Sequence, residues 1–373
     1  MCNPKNDVSS FNGYVCCSKN RCGGILARKP LVKSGKSLGN KKNCVTAMLV
    51  FGMGCLNVAL STAVDFSAIT SPIIFRGDAV TAYRDPAAVY ADGLFRLYFT
   101  LVRIEKDGHP YSYLAWSKSR DLVSWSAPAI LTRRDRNLNY GSPGNVIRHD
   151  DEWMLCLQTY PRPNDEPYGN ATSRLWTMRS RDLEQWGEPE LLRVKGFDVP
   201  IKKMGRMIDP YLLADKDEPG KWWCFFKQNG VSRSWSRDLK TWTYVGHAPA
   251  GENACVLLDG GDYVLYHSPE NGIGVKRSAD LKTWRDDGVL TLGQAVWPWS
   301  QGRLTAGFVQ DLRRDPAVGK AIMFFHGSDY PEKDSRGGFD NFASIGLAWS
   351  DDLRTWRWPV GDVQSDPQQS KMK

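Results

Sequence analysis

One heptamer, Ser-x-Asp-Leu-x-x-Trp, recurs five times in this 373-residue chain, at 119–125, 180–186, 236–242, 278–284 and 350–356. Successive copies start roughly 40 to 70 residues apart, the period of a repeat built from one small antiparallel sheet. Such a sheet cannot bury both faces alone. Stacked radially, each sheet covers its neighbours, and the array closes on itself. Five copies therefore predict an all-β fold, a five-bladed β-propeller formed as one domain by residues 64–373. A propeller gathers one inner strand per blade around a central axis, so chemistry is expected at a mouth of that axis.

The two ends of the chain differ in composition. Residues 1–63 hold nine Lys or Arg against the single acid Asp7, which accounts for the whole net charge of +8. The rest is charge-balanced and offers no reason to expect a nucleic-acid partner, which needs a basic face on the folded domain. Lys41 and Lys42 precede the uncharged run CVTAMLVFGMGCLNVALSTA, which closes on Ser61, Thr62 and Ala63. A positive flank, an apolar stretch and a small-x-small ending read as a secretory signal peptide cleaved after Ala63. The alternative is an uncleaved anchor, in which case the protein would contact a membrane. A secreted or periplasmic location follows. Cys2, Cys16, Cys17, Cys22, Cys44 and Cys55 fall in this leader. Cys156, Cys224 and Cys255 sit among apolar strand residues and read as core thiols.

After residue 64 no long segment has helical period, so few helices are expected. The first unit shows a short apolar stretch, an Asp92-Gly93 turn, a strand over 94–102 and a third strand over 111–117. A D-G turn between apolar runs is a strong hairpin signal. In the heptamer, Ser and Asp suit a backbone-holding turn, while Leu and Trp suit packing between sheets.

Aligning the units on hairpin and heptamer shows what opens each inner strand: Asp85, Ser142, Asp209, Glu252 and Ala306. Pro86, Pro143 and Pro210 follow at matching places. Three acids would thus converge at one end of the axis. Converging carboxylates repel, which costs stability unless they are used or neutralised. The bland reading pairs them with Arg84 or Arg206. The functional reading makes them either oxygen ligands for a metal ion or the acid–base set of a glycosidase. A third carboxylate can raise the pKa of a proton donor by like-charge repulsion. Trp297, Trp299, Tyr140 and Tyr83 are candidates to stack on sugar faces.

The order of RDP (84–86), IDPYLLADKDEPGKWWCFF (208–226) and GENACVLLDGGDYVLYHS (251–268) between SxDLxxW turns resembles glycoside hydrolase family 43. It resembles families 32, 68 and 117 more distantly. The resemblance covers roughly residues 70–360 and implies that Asp85 is the general base, Asp209 the pKa modulator and Glu252 the general acid. It implies inversion at the anomeric centre, with base and acid roughly 6.5–9.5 Å apart. Implied substrates are plant or algal oligosaccharides, in the manner of an arabinofuranosidase or xylosidase. No cofactor is required, with a structural calcium as an option. Asn253-Ala254 stands where the family has Gly-Pro after its Glu. Phe308 stands near the family's fifth-blade His, for which His326 is the substitute.

Arg84, Arg162 and Arg206 open a second option, a glycoside phosphorylase whose arginines bind phosphate. A non-catalytic sugar-binding propeller is a third. A sialidase-like propeller fits less well, because its Asp-box turn carries Gly where these copies carry Leu. The stretches 160–174 and 329–341 are expected to overhang the site and set specificity.

Overall fold

The computed structural model describes residues 63–329 and 340–359. The leader, with its signal and six cysteines, lies outside the described residues apart from Ala63. So does most of the 329–341 stretch. Five antiparallel sheets form a five-bladed β-propeller. The inner strands are Thr81–Ala91, Tyr140–Gly141 with Val146–His149, Ile208–Ala214, Glu252–Asp259 and Arg303–Leu312. Second and third strands follow in each blade as hairpin partners. The only helices among the described residues are three single 3-10 turns.

Local chemistry accounts for the pattern. In the first blade Thr81–Ala91 and Leu94–Ile104 meet at Asp92 and Gly93, both with positive φ. That backbone is the two-residue turn that matches strand twist and favours Asp-Gly. The heptamers close the third strands. Ser119 Oγ accepts the Leu122 N–H at 2.9 Å, and Asp121 Oδ1 accepts the N–H groups of Val123 and Ser124 at 2.9 and 2.8 Å. The same Asp-centred net recurs at Asp182, Asp238, Asp280 and Asp352. The central Leu is buried in every copy, and its φ is +56° to +65° throughout. Side chains rarely adopt this region, so Leu burial here offsets local backbone strain. Tyr98 of the first blade donates to the Leu183 carbonyl of the second blade's heptamer at 2.7 Å. The heptamers therefore join blades as well as end strands.

The core lies as wedges between adjacent sheets. Phe95, Phe99, Phe225, Tyr266, Phe324 and Phe325 are among its largest fully buried side chains. Cys156, Cys224 and Cys255 are free and buried, as expected of core thiols. The ring closes through a strand that sequence analysis did not register. Ile73–Phe75 pairs antiparallel with Ser344–Ser350, so the chain's first described strand completes the last blade.

Each inner strand carries a bulge near the axis. The residues at the bulges, Asp85, Ser142, Asp209, Asn253 and Ala306, all have φ between +38° and +53°. One residue earlier, Arg84, Gly141, Ile208, Glu252 and Thr305 pair with Thr100, Gln158, Lys227, Ser268 and His326 on the second strands. These second-strand residues form a seam. Four of the five bulge N–H groups are accepted by the seam residue of the preceding blade: Ser142 by Thr100, Asp209 by Gln158, Ala306 by Ser268 and Asp85 by His326 Nδ1. Lys227 has no acceptor to offer. At that one junction the Asn253 N–H goes to Asp209 Oδ2 instead, at 3.2 Å.

Candidate active site

At one end of the axis a cleft of about 460 Å³ is lined by Arg84, Asp85, Glu252, Asp209, Tyr160 and Asn253, with Thr100, Ser112, Gly141, Ser142, Gln158 and Ile208 completing it. The three acids come from the first, third and fourth blades and meet here. The register changes how they relate. Glu252 does not occupy the position equivalent to Asp85 and Asp209. Asn253 occupies it, and Glu252 matches Arg84 and Ile208 one residue earlier. The expected equivalence of three acids is thus two acids and an amide at the bulge, with the third acid on the adjacent rim. The error arose because sequence alignment cannot see a bulge when the Pro that marks it elsewhere is absent.

The two bulge carboxyls are driven in opposite directions. Burial alone would raise the pKa of Asp85. The Arg84 guanidinium, with the hydroxyls of Ser142 and Thr100 donating to Oδ2 at 3.0 and 3.1 Å, more than offsets this and holds it below the ordinary carboxylate range. Asp209 is buried too, and burial pushes it well above that range. Glu252 and then Asp85 add like-charge repulsion. Glu252 is about one-third exposed and meets Arg303 Nη2 at 3.3 Å. The bland expectation of Arg-paired acids therefore describes Glu252 and part of the setting of Asp85. Asp209 keeps the net upward push.

His326 does reach the site, as support for Asp85. Its Nδ1 accepts the Asp85 N–H at 3.0 Å, and burial brings its pKa down to about 3. The imidazole is neutral, so its 3.7 Å approach to Asp85 Oδ1 is a polar contact and no ion pair. Arg206 lies at the rim, with its guanidinium 5.5 Å from the Tyr160 ring centre and its Nε donating to the Gly169 carbonyl at 3.0 Å. Arg162 is bound bidentately to Asp340, at 2.6 and 3.0 Å.

The proposed sugar platforms lie elsewhere. Trp297 and Trp299 are buried in a stack with Phe325, at 5.7 and 6.0 Å. Tyr140 is buried edge-on against Trp176 at 5.8 Å, and Tyr83 packs on Phe75 and Phe99. None of the four lines the cleft. The aromatic ring that does line the cleft is Tyr160, where the second strand of its blade gives way to a long loop. Its place at the end of a strand facing the axis was the only available signal. Asn253 was also missed.

Among the described residues no group of three or more His, Cys, Asp or Glu is arranged to hold a metal ion. Below the acids the axis is lined largely by Pro86, Pro143, Pro210, Ala254, Gly307 and Phe308. The same cavity is also bounded by Asp85, Ser142, Asp209 and Asn253, whose oxygens are the ones a hard cation such as calcium would draw on.

No protein-family model and no curated protein matches the chain. Solved structures do. A glycosyl hydrolase from Bacteroides ovatus aligns with a TM-score of 0.55 at 15% identity, over 81% of this chain and 94% of that one. A family 117 glycoside hydrolase from the marine bacterium Zobellia galactanivorans gives 0.54 at 14%, over 79% and 92%. A thermostable family-43 glycoside hydrolase gives 0.51 at 15%, over 80% and 99%. The chain thus has the fold of propeller glycoside hydrolases, and at these identities the likeness is one of fold.

Proposed function

We propose that the chain is a secreted, inverting glycoside hydrolase, acting like an arabinofuranosidase or xylosidase on plant or algal oligosaccharides. The observation that carries this reading is the cleft where Asp85, Asp209 and Glu252 meet with Asp85 held ionised and Asp209 pushed towards its protonated form. Titratable groups driven apart in one cleft are what acid–base catalysis at near-neutral pH requires. In the proposed step the Asp85 carboxylate removes a proton from water as the water oxygen attacks the anomeric carbon. Glu252 delivers its proton to the leaving glycosidic oxygen as the carbon–oxygen bond breaks. Turnover ends with Asp85 protonated and Glu252 ionised, and exchange with solvent restores both. No cofactor enters this scheme, and activity should survive exhaustive chelation.

Asp85→Ala and Glu252→Ala are each expected to cut turnover of glycosides with a poor leaving group by roughly 10²–10⁴-fold with the fold intact. Full activity of either variant on such a substrate would overturn the assignment. A second reading exchanges the roles of Asp209 and Glu252. It is favoured by the upward push on Asp209 and by the Arg303 partner of Glu252. Leaving groups decide between them. A variant lacking the proton donor keeps its activity on an activated dinitrophenyl glycoside and loses it on a poor leaving group. Dependence of turnover on added phosphate would instead reveal a phosphorylase. Binding without turnover across a panel of glycosides would reveal a sugar-binding propeller.

A further inference from the structure

Asn253 holds a place in the ring that no other blade fills with an amide, and its backbone N–H and both ends of its side-chain amide are engaged. Its backbone N–H donates to Asp209 Oδ2 at 3.2 Å, and its Nδ2 donates to Asp85 Oδ1 at 3.4 Å. Its Oδ1 accepts from Ser268 Oγ at 2.9 Å. Ser268 Oγ accepts the Ala306 N–H at 2.9 Å, so its own proton is directed at Asn253. A carboxamide oxygen can only accept and its nitrogen can only donate. The seam residue of the fourth blade therefore fixes which end of the Asn253 amide faces Asp85.

We propose that Asn253 is the positioning residue of this site: it ties the two bulge carboxylates together and presents a fixed donor to Asp85 that favours the ionised form. The inference rests on Asp85 being the base. A donor that cannot ionise stabilises an anion at any working pH. An acid in the same place would compete with Asp85 for one proton. The other charged or titratable groups bearing on Asp85 and Asp209 are Arg84 on the first blade's own inner strand, Glu252 beside Asn253, Arg206 ahead of the third blade's inner strand, and His326 from the fifth blade, itself in the field of Arg303. Asn253→Asp changes none of them and keeps the backbone N–H to Asp209. Both Asn and Asp tolerate the φ of +52° at this bulge.

The test follows the side-chain carboxyl carbons of Asp by 13C NMR in the wild type, Asn253→Asp and Asn253→Gly, with Asp85→Asn to assign the signal. The Asp85 midpoint is expected to rise by about one pH unit or more in Asn253→Asp, a tenfold gain in proton affinity. A smaller rise is expected in Asn253→Gly, which suits the backbone and serves if the acid variant does not fold. The acid limb of kcat/KM should move the same way. An unmoved Asp85 midpoint in a folded variant overturns the inference, because a purely structural Asn253 would lower Tm without moving a titration. The titration needs no turnover. A midpoint that moves in a protein whose Asp85→Ala variant retains full activity would refute the base assignment and leave the contact with Asp85 established.

Discussion

A buried imidazole that accepts a backbone N–H through Nδ1 cannot carry a proton on that atom as well. His326 is in this position beside Asp85, with a pKa near 3 against an unfolded value of about 6.5. The unfolded chain binds the extra proton first, so stability from this group is complete above about pH 6.5 and is lost as pH falls towards 3. The second blade suggests the remedy, since Gln158 accepts the equivalent N–H of Asp209. His326→Gln should keep the seam and lose the acid lability. Its Tm between pH 4 and 6 should fall less steeply than that of the wild type, while at pH 8 the two should agree within a few degrees. Parallel Tm profiles would refute this. Legibility at this scale followed the motifs. Asp85 and Asp209 were readable because a Pro follows each, and Glu252 was readable as an acid near the axis. Asn253 was not, because its importance lies in a bulge and in hydrogen bonds to residues far away in sequence. Trp297 and Trp299 misled for the reverse reason: nothing in their local sequence announces the stack with Phe325.

The heptamer is the element whose form was most legible, since Ser, Asp, Leu and Trp each had one plain task. What sequence did not disclose is that the Leu bears a left-handed backbone in all five copies. Leu281 is 2% exposed at φ +61°. Leu281→Ala keeps the strain and loses the packing, and should cost about 2–4 kcal/mol in chemical denaturation. Asp280→Ala removes the acceptor for Lys282 and Thr283 N–H groups at the solvent-exposed turn. It should cost about 1 kcal/mol, as at a helix cap. A larger loss for Asp280 than for Leu281 would mean that the turn, and not its buried Leu, holds the blade. Hairpins were equally readable where Asp-Gly supplied the turn. Ile73–Phe75 was not, because three apolar residues carry no period.

At the scale of the whole molecule that short strand is the clasp of the ring. Phe75 lies on the fifth blade and packs on Tyr83 and Phe99 of the first, at 5.3 and 5.2 Å. Phe75→Ala should cost about 3 kcal/mol, read as lowered Tm. Because Asp85 and its acceptor His326 lie on opposite sides of the same junction, loosened closure should reduce turnover as well. A variant with lowered Tm and undiminished kcat would show that the cleft does not depend on the clasp.

The clasp also sets a timetable. Ile73–Phe75 leaves the ribosome early, and its partner Ser344–Ser350 follows roughly 270 residues later, so the longest-range pairing in the sheet forms last. During synthesis the early strand has no blade to join and the growing stack has an uncovered edge, the condition under which chains stick to one another. The His326–Asp85 bond spans a similar interval, 241 residues. Blades can therefore mature one by one, whereas the cleft where Asp85, Asp209 and Glu252 meet is complete only when the final blade arrives, and a chain stopped before that blade has the three acids without their final arrangement.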